Sequence, residues 1–160
     1  MIALRSALSA LHVLALAFGF SGLFLRGMRL RELAKDRGNA AARASLLRAD
    51  NVWGLAALLW IVTGLVRAFA GLEKQPDFYL RNGFFWVKMG LFGLVFALEI
   101  RPMVAFIRWR IAKGRGADAA AAAVAAAPLA VFVRLNDAET VLVLVIPFVA
   151  ALMARGAWLF

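Results

Sequence analysis

The amino-acid sequence predicts an all-α integral membrane protein, a four-helix bundle with up-down topology. Of its 160 residues, 64% are hydrophobic, whereas an ordinary soluble domain is about 45–50% apolar. Four apolar runs approach the ~20 residues that a helix needs to cross the hydrocarbon core. Most basic residues lie between these runs, which is typical of loops beside membrane spans. We therefore expect one membrane domain over residues 1–160.

The first span is predicted at residues 6–25 and the second at residues 52–70. Arg5 and the apolar run after it resemble a secretory signal, but no clear small-x-small cleavage site follows the run. We therefore expect a retained helix rather than a cleaved signal. The connection, residues 26–51, is rich in good helix formers, so it is expected to extend the flanking helices into the headgroup zone.

The third span is predicted at residues 83–101 and the fourth at residues 138–158. Asn136 and Asp137 stand before the fourth span, and both residue types favour the N-cap position of a helix. The connection, residues 102–136, contains an alanine-rich stretch at 116–128. Its low-complexity composition is compatible with a short helix or with a flexible linker.

The distribution of basic residues predicts the orientation of the bundle. Residues 26–48 hold seven Lys or Arg against two acids, and residues 101–134 hold six against one. Residues 71–82 hold two of each sign. Since basic loops stay on the cytoplasmic side, loops 26–51 and 102–136 are predicted to be cytoplasmic and both termini non-cytoplasmic. This predicts a multi-pass protein of the bacterial inner (plasma) membrane, and it assigns the net charge of +10 to the lipid bilayer rather than to nucleic acid.

The composition excludes several kinds of chemistry. The chain has no cysteine, so disulfides, thiolate metal sites and a cysteine nucleophile are excluded. It contains no P-loop, GxGxxG, HExxH or GxSxG motif. Its one histidine, His12, has no acid at its predicted depth, which argues against a Ser-His-Asp triad. The sequence therefore assigns no catalytic residue.

Three basic side chains from three different spans are predicted to share one depth near the outer surface. At ~1.5 Å per residue, His12 lies roughly 9 Å below the surface, Lys88 roughly 8 Å and Arg67 roughly 5 Å. No acid within a span lies at that level, and the nearest acids are Glu73 and Asp77 in the loop above. Ionisable residues inside a membrane are costly, so they usually face the bundle interior and mark a functional site.

Histidine, lysine and arginine at this depth suit a haem b site in the outer half of the bundle. Imidazole binds haem iron, so His12 would be the metal ligand. Arg67 would hold a propionate, and Lys88 would be a second ligand when deprotonated, or a propionate or substrate partner. Because the chain has one histidine, bis-histidine ligation within one chain is excluded. His/Lys, His/Met, five-coordinate haem and a homodimer that shares ligands stay open.

A simpler interpretation of each residue also stays open. His12 would be hydrogen-bonded to a neighbour such as Ser9 or Thr63, and Lys88 and Arg67 would extend to the outer headgroups.

A second group of polar residues is predicted at the cytoplasmic ends of the spans. Its members carry opposite charges or amides at matching depth: Asp50, Asn51, Glu99, Arg101 and Asp137, with Arg108 just beyond. Ion pairs such as Asp50 with Arg101 are therefore expected. We interpret the group as structural, fixing the helix ends in register, since the spacing gives no support to a proton relay through Glu99.

The stretches "LRADNVWGLAALLWIVTGLVRAF", "FYLRNGFFWVKMGLFGLVFALEIRPM" and "IRWR" resemble an uncharacterised family of bacterial membrane proteins, the domain of unknown function 2214. The resemblance covers nearly the whole chain and implies a membrane protein without implying an activity.

A more distant resemblance concerns His12 in the first span and the pair Trp86 and Lys88 at the start of the third. These positions are similar to those of HemJ-type protoporphyrinogen oxidases and their CopD-like relatives. Those proteins bind haem and use a first-helix histidine and a lysine after a tryptophan. The resemblance implies a four-helix haem-binding protein with Trp86 and Lys88 at the tetrapyrrole, although a residue two positions before Lys88 faces another side of the helix.

Three functions follow from the sequence. The first is a haem-binding protein of membrane redox chemistry, with an oxidoreductase as one form of it. The second is a non-catalytic accessory or assembly subunit without a cofactor, working in a homo-oligomer or a larger membrane complex. The third is a small transporter with an anion site at His12, Arg67 and Lys88, for which four short helices leave little room.

Overall fold

The computed structural model describes residues 2–72, 74–158 and 160. Four long helices and two short ones follow in chain order: α1 (Ile2–Lys35), α2 (Ala40–Phe69), α3 (Pro76–Leu80), α4 (Gly83–Gly114), α5 (Ala117–Ala125) and α6 (Leu129–Ala154). The four long helices are each long and apolar enough to cross a membrane. Because the described ranges contain no strand, the predicted class, an all-α membrane helical bundle, is confirmed.

On the side of the two basic connections, the helices run well past the predicted spans. Only residues 36–39 separate α1 from α2, so helix fills most of the segment 26–51, as its composition predicts. Asn39 begins α2 as its N-cap, because its side-chain oxygen accepts a hydrogen bond from the Ala42 amide at 2.8 Å. Between α4 and α6, the alanine-rich stretch forms the short helix α5 rather than a wholly flexible linker.

The predicted N-cap of the fourth span is wrong. Helix α6 begins at Leu129, so Asn136 and Asp137 lie inside the helix rather than before it.

The long helices form a ring in the order α2, α1, α6, α4, and one side of this ring is loosely packed. The backbones of α1 and α2 approach closely, as do those of α4 and α6 and those of α1 and α6. The backbones of α2 and α4 approach much less closely. We call this side the α2–α4 seam.

Small residues on α1 allow the close contact with α2. A Cβ atom added to Gly22 would lie 2.8 Å from the backbone nitrogen of Trp53 and 3.0 Å from the carbonyl oxygen of Ala49. One turn earlier, Gly19 lies against the side chains of Trp53 and Ala56. Glycine at such contacts lets membrane helices pack backbone against backbone.

The surface around the long helices is apolar. Large hydrophobic side chains such as Phe18, Leu55 and Phe148 are exposed over 62%, 71% and 73% of their area. A water-soluble protein rarely exposes so much contiguous apolar surface. The same surface is stable against lipid tails, so the burial pattern agrees with four spans in a bilayer.

One end of the bundle is closed by α3 and by the last residues of the chain. Tyr79 of α3 is buried, and its ring lies 6.0 Å from that of Phe85. The Asn82 side chain donates to the carbonyl of Ala157 at 3.1 Å. The Phe160 amide donates to the carbonyl of Arg81 at 3.0 Å. The chain end is therefore fastened to the junction of α3 and α4.

Candidate functional site

A cavity of about 320 Å³ lies between the helices at the end that α3 closes. Four basic residues line it: His12 from α1, Arg67 from α2, Lys74 from the connection to α3, and Lys88 from α4. Aromatic residues and the apolar face of α6 form most of the remaining wall. We call it the His12 cavity. Depth along the helices predicts that His12, Arg67 and Lys88 share one level, and the structure places all three on this one cavity.

His12 is held against α2 by a hydrogen bond. Its Nδ1 atom lies 2.8 Å from Oγ1 of Thr63. The Thr63 hydroxyl donates its own hydrogen to the carbonyl of Leu59 at 2.7 Å, so its oxygen accepts from His12 Nδ1–H. In the neutral imidazole, Nε2 then carries the lone pair. This bond matches the simple interpretation of His12, and it is also the anchor that metal-ligating histidines use.

The neighbours of His12 shape the space around its ring. A Cβ atom added to Gly64 would lie 3.3 Å from Cε1 of His12, so the glycine lets the imidazole rest on the backbone of α2. The ring centroids of His12 and Trp60 are 5.9 Å apart. Trp60 is buried and lines the cavity beside the histidine. The imidazole is thus fixed in position and orientation.

Lys88 is half-buried, and its ammonium group has no counter-ion in the described part of the chain. Neither a hydrogen bond nor an ion pair joins it to any residue in ranges 2–72, 74–158 and 160. The described lining contains no acid. Of the two acids predicted nearby, Asp77 is exposed on α3 and does not line the cavity, and Glu73 lies outside the described residues.

Lys74 lies over the end of the cavity. Its ammonium group donates to the carbonyl of Ala154 at 2.9 Å. The same nitrogen lies 3.6 Å from the ring centroid of Phe78, which is a cation–π contact. Lys74 therefore adds a positive charge to the cavity while it joins the start of α3 to the end of α6.

Trp86 does not reach the cavity. Its side chain is 54% exposed, and its indole nitrogen donates to the carbonyl of Leu80 at 3.1 Å. Two residues before Lys88 correspond to about 200° around a helix, so the two side chains cannot share one face. Metal binding by His12 and cofactor binding by Arg67, Lys88 and Trp86 stay predictions.

No group of three or more His, Asp or Glu side chains that could hold a metal ion occurs within the described ranges. A single imidazole can nevertheless serve haem iron, whose other ligands come mostly from the macrocycle.

A smaller pocket of about 90 Å³ opens from the same residues into the α2–α4 seam. It shares His12, Trp60 and Lys88 with the His12 cavity, and apolar residues such as Leu65 and Phe92 form its outer part. The rings of Trp60 and Phe92, 5.3 Å apart, fill the space between the two helices. His12 and Lys88 therefore border both the interior and the loosely packed side of the ring.

A second polar constellation lies farther along the bundle, centred on Arg26 of α1, which is fully buried. Its Nε atom donates to Asn136 at 2.8 Å. Its Nη1 atom donates to Asp50 at 3.2 Å and to Glu99 at 2.7 Å, and Nη2 donates to Glu139. We call these five residues the Arg26 cluster. Since α2, α4 and α6 each contribute a carboxylate, a single guanidinium joins all four long helices.

The predicted ion pair between Asp50 and Arg101 is wrong. Asp50 accepts from Arg26 and from Arg110, the latter at 2.7 Å. Arg101 is exposed. Arg101 follows Glu99 by two residues, or about 200° around α4, so it faces outward when Glu99 faces Arg26.

The apolar runs of the sequence do not predict the burial of Arg26, because the first run ends at Leu25 and Arg26 falls in the basic loop 26–51. The helical spacing does indicate that Arg26 is buried, since it lies on the face of α1 that carries Gly19, Gly22 and Leu30. Asp137, also predicted in this group, forms an exposed ion pair with Arg31. These contacts agree with a structural role for the inner group, which fixes the register of the four helices.

Comparison with known proteins assigns the chain to a family. A family model described as "Predicted membrane protein (DUF2214)" matches residues 4–157, a range that includes the four long helices almost entirely. No curated protein and no solved structure matches the chain.

Proposed function

The chain belongs to the DUF2214 family of predicted membrane proteins, and from this premise we propose that it binds an amphipathic anion in the His12 cavity. The observation that carries the proposal is the ammonium group of Lys88, which lines the cavity and meets no carboxylate in the described ranges. A charge at membrane depth is costly and is normally matched by a partner or a ligand. A carboxylate or phosphate headgroup supplies that partner.

The rest of the cavity suits both the charged headgroup and the apolar part of such a ligand. Lys74 and Arg67 add positive charge at the level of the headgroup, and His12 offers a fixed polar ring. The remaining walls are aromatic and aliphatic, among them Trp60 and Phe85, and they suit a hydrocarbon or ring system. A volume of about 320 Å³ lies in the lower part of the range for small-molecule sites.

The α2–α4 seam supplies a path for this ligand. Its pocket joins the lipid-facing side of the bundle to His12 and Lys88. A ligand dissolved in the bilayer thus reaches the basic residues without passing through water. We place the protein in the bacterial inner membrane with the basic loops in the cytoplasm, so that the His12 cavity lies toward the outer side.

Replacing Lys88 by methionine is expected to weaken binding of an anionic amphiphile about 10- to 100-fold. Hydrogen bonds to charged groups contribute about 1.5–3 kcal/mol, and each 1.4 kcal/mol is tenfold in affinity. The measurement is a fluorescence titration of the purified protein in nanodiscs with cis-parinaric acid. The methyl ester of the same probe is neutral and is expected to bind the original protein as weakly as the acid binds the K88M protein.

The matched control is Lys113→Met, which removes an exposed lysine from the last turn of the same helix. It is expected to leave binding of the acid unchanged. Equal affinities of the K88M and K113M proteins for the acid would contradict the proposal, as would equal binding of acid and ester by the unsubstituted chain.

Haem b is a second candidate ligand, and the hydrogen bond between His12 and Thr63 favours it. This bond leaves Nε2 as the nitrogen that would coordinate iron, in the arrangement common to metal-bound histidines. Arg67 and Lys88 would pair with the propionates. Bound haem would supply electron-transfer chemistry. The anchored imidazole fits an axial ligand, and a whole macrocycle would also occupy the space of the α2–α4 seam.

The haem candidate predicts a coloured protein. After expression with ample haem supply, the purified chain is expected to show a Soret band and a positive pyridine haemochrome assay. His12→Ala is expected to abolish both while the circular dichroism spectrum stays helical. Ser21→Ala, an exposed change on the same helix, serves as the control. A colourless chain that also fails to take up added haemin would eliminate this candidate and leave the anion proposal standing.

A further inference from the structure

The Arg26 cluster contains more negative than positive formal charge. The carboxylates of Asp50, Glu99 and Glu139 all contact the one guanidinium of Arg26. Arg110 adds a second positive charge, and it pairs with Asp50 alone among these acids. Three acids thus face two cations, and one negative charge has no counter-charge of its own. Such an excess is costly in an interior of low dielectric constant.

Glu139 is the member of the cluster that is worst placed to carry this charge. Its side chain is completely buried. One carboxyl oxygen contacts Arg26, whereas the other, Oε1, is buried and has no hydrogen-bond partner among the residues that the structure describes. A buried oxygen without a partner costs about 1–3 kcal/mol, and more when it is charged. An added cation at Oε1 would remove both costs.

Glu99 is the residue best placed to bind that cation together with Glu139. It contacts the same guanidinium as Glu139, so the two carboxyl groups approach one another beside Arg26. Its other oxygen accepts from the indole nitrogen of Trp53 at 3.2 Å. Two carboxylates that share one site commonly keep a proton between them, because both cannot be charged at low cost.

We propose that the Arg26 cluster binds one exchangeable proton, held between the carboxyl groups of Glu139 and Glu99. The guanidinium of Arg26 is fully buried, and the proton is the cation that needs no additional ligands beside it. The side chains of Glu99 and Asp50 keep 15% and 11% of their area exposed, so the proton exchanges with water through them.

The groups that face this proton come from all four long helices. They are Arg26 of α1, Asp50 and Trp53 of α2, Glu99 and Arg110 of α4, and Asn136 of α6. The site is distinct from the His12 cavity, because Arg26 follows His12 by 14 residues, roughly 21 Å along α1. Its occupancy therefore does not depend on the ligand proposed there.

The test is the infrared spectrum of the full chain in nanodiscs at neutral pH. We expect the carbonyl band of a protonated carboxyl group, which shifts in heavy water because the proton exchanges. Glu139→Gln and Glu99→Gln are each expected to abolish this band. The control Glu32→Gln, in a half-exposed pair with Arg29, is expected to retain it. Absence of the band from the unsubstituted chain overturns the proposal even if a variant fails to fold.

Two further measurements distinguish the alternatives. Glutamine has the shape and neutrality of protonated glutamic acid, so the E139Q protein is expected to unfold within a few degrees of the original Tm. A large fall in Tm at neutral pH would show that Glu139 is needed as an anion, and would overturn the proposal. Loss of the infrared band on replacing potassium by sodium at constant ionic strength would assign the site to a metal cation and would overturn it as well.

Discussion

Replacing Arg26 by methionine is expected to lower the free energy of unfolding by about 3–5 kcal/mol, the usual cost of removing one partner from a buried ion pair. The substitution leaves Asp50, Glu99 and Glu139 without the guanidinium that all three contact. It also removes the hydrogen bond to Asn136. The measurement is reversible unfolding of the purified protein in mixed detergent micelles, followed by circular dichroism.

The control is Arg29→Met, which breaks a half-exposed pair with Glu32 one turn along the same helix. It is expected to cost at most about 1 kcal/mol, as surface ion pairs do. A second variant combines Arg26→Met with Glu99→Gln and Glu139→Gln, and is expected to recover part of the loss because the buried charges are removed together. Equal stability of the R26M and R29M proteins would show that the Arg26 cluster does not hold the bundle together.

Replacing Gly22 by alanine is expected to destabilise the bundle by about 1–3 kcal/mol, the typical cost of overpacking. The new Cβ atom would lie 2.8 Å from one backbone atom of α2 and 3.0 Å from another. Backbone atoms cannot rotate away as a flexible side chain does, so α1 and α2 must separate. The same unfolding measurement applies.

Gly90→Ala is the matched change for this prediction. No atom lies within 4 Å of a Cβ added to Gly90, although this residue also sits inside a long membrane helix. The change is expected to be neutral, or to stabilise by up to about 1 kcal/mol through helix propensity. A Gly22→Ala protein as stable as the Gly90→Ala protein would mean that the close contact of α1 and α2 contributes little.

The sequence predicts how deep a residue lies in the membrane better than it predicts which way the side chain faces. The fold class followed from the apolar runs, and the common level of His12, Arg67 and Lys88 followed from the fixed rise per residue. Rotation about each helix axis is harder to read, because a membrane helix is apolar on both its lipid-facing and its buried sides. The predicted pairing of Arg101 with Asp50 fails for this reason, since Arg101 faces outward.

Arg26 could not be assigned by hydrophobicity alone. It stands at the end of an apolar run, where a basic residue normally marks the start of a loop. Its burial depends on three acids and an amide that come from other helices. Those partners lie 24 to 113 residues away in the chain, and no local pattern connects them. The sequence contained the acids, but their convergence on one guanidinium is a property of the fold.

The loosely packed side of the helix ring has a mechanical consequence. The Arg26 cluster fastens the four long helices to one another, whereas the backbones of α2 and α4 do not approach closely beside His12, where the rings of Trp60 and Phe92 lie between them. Of the four sides of the ring, the α2–α4 seam is therefore the one at which two long helices can separate without losing a close backbone contact. A small separation of α2 from α4 would widen the gap beside Trp60 and leave the contacts of α1 with α2, of α1 with α6 and of α4 with α6 in place. Because this side of the ring faces the lipid, we expect the lateral pressure of the bilayer to act on the gap.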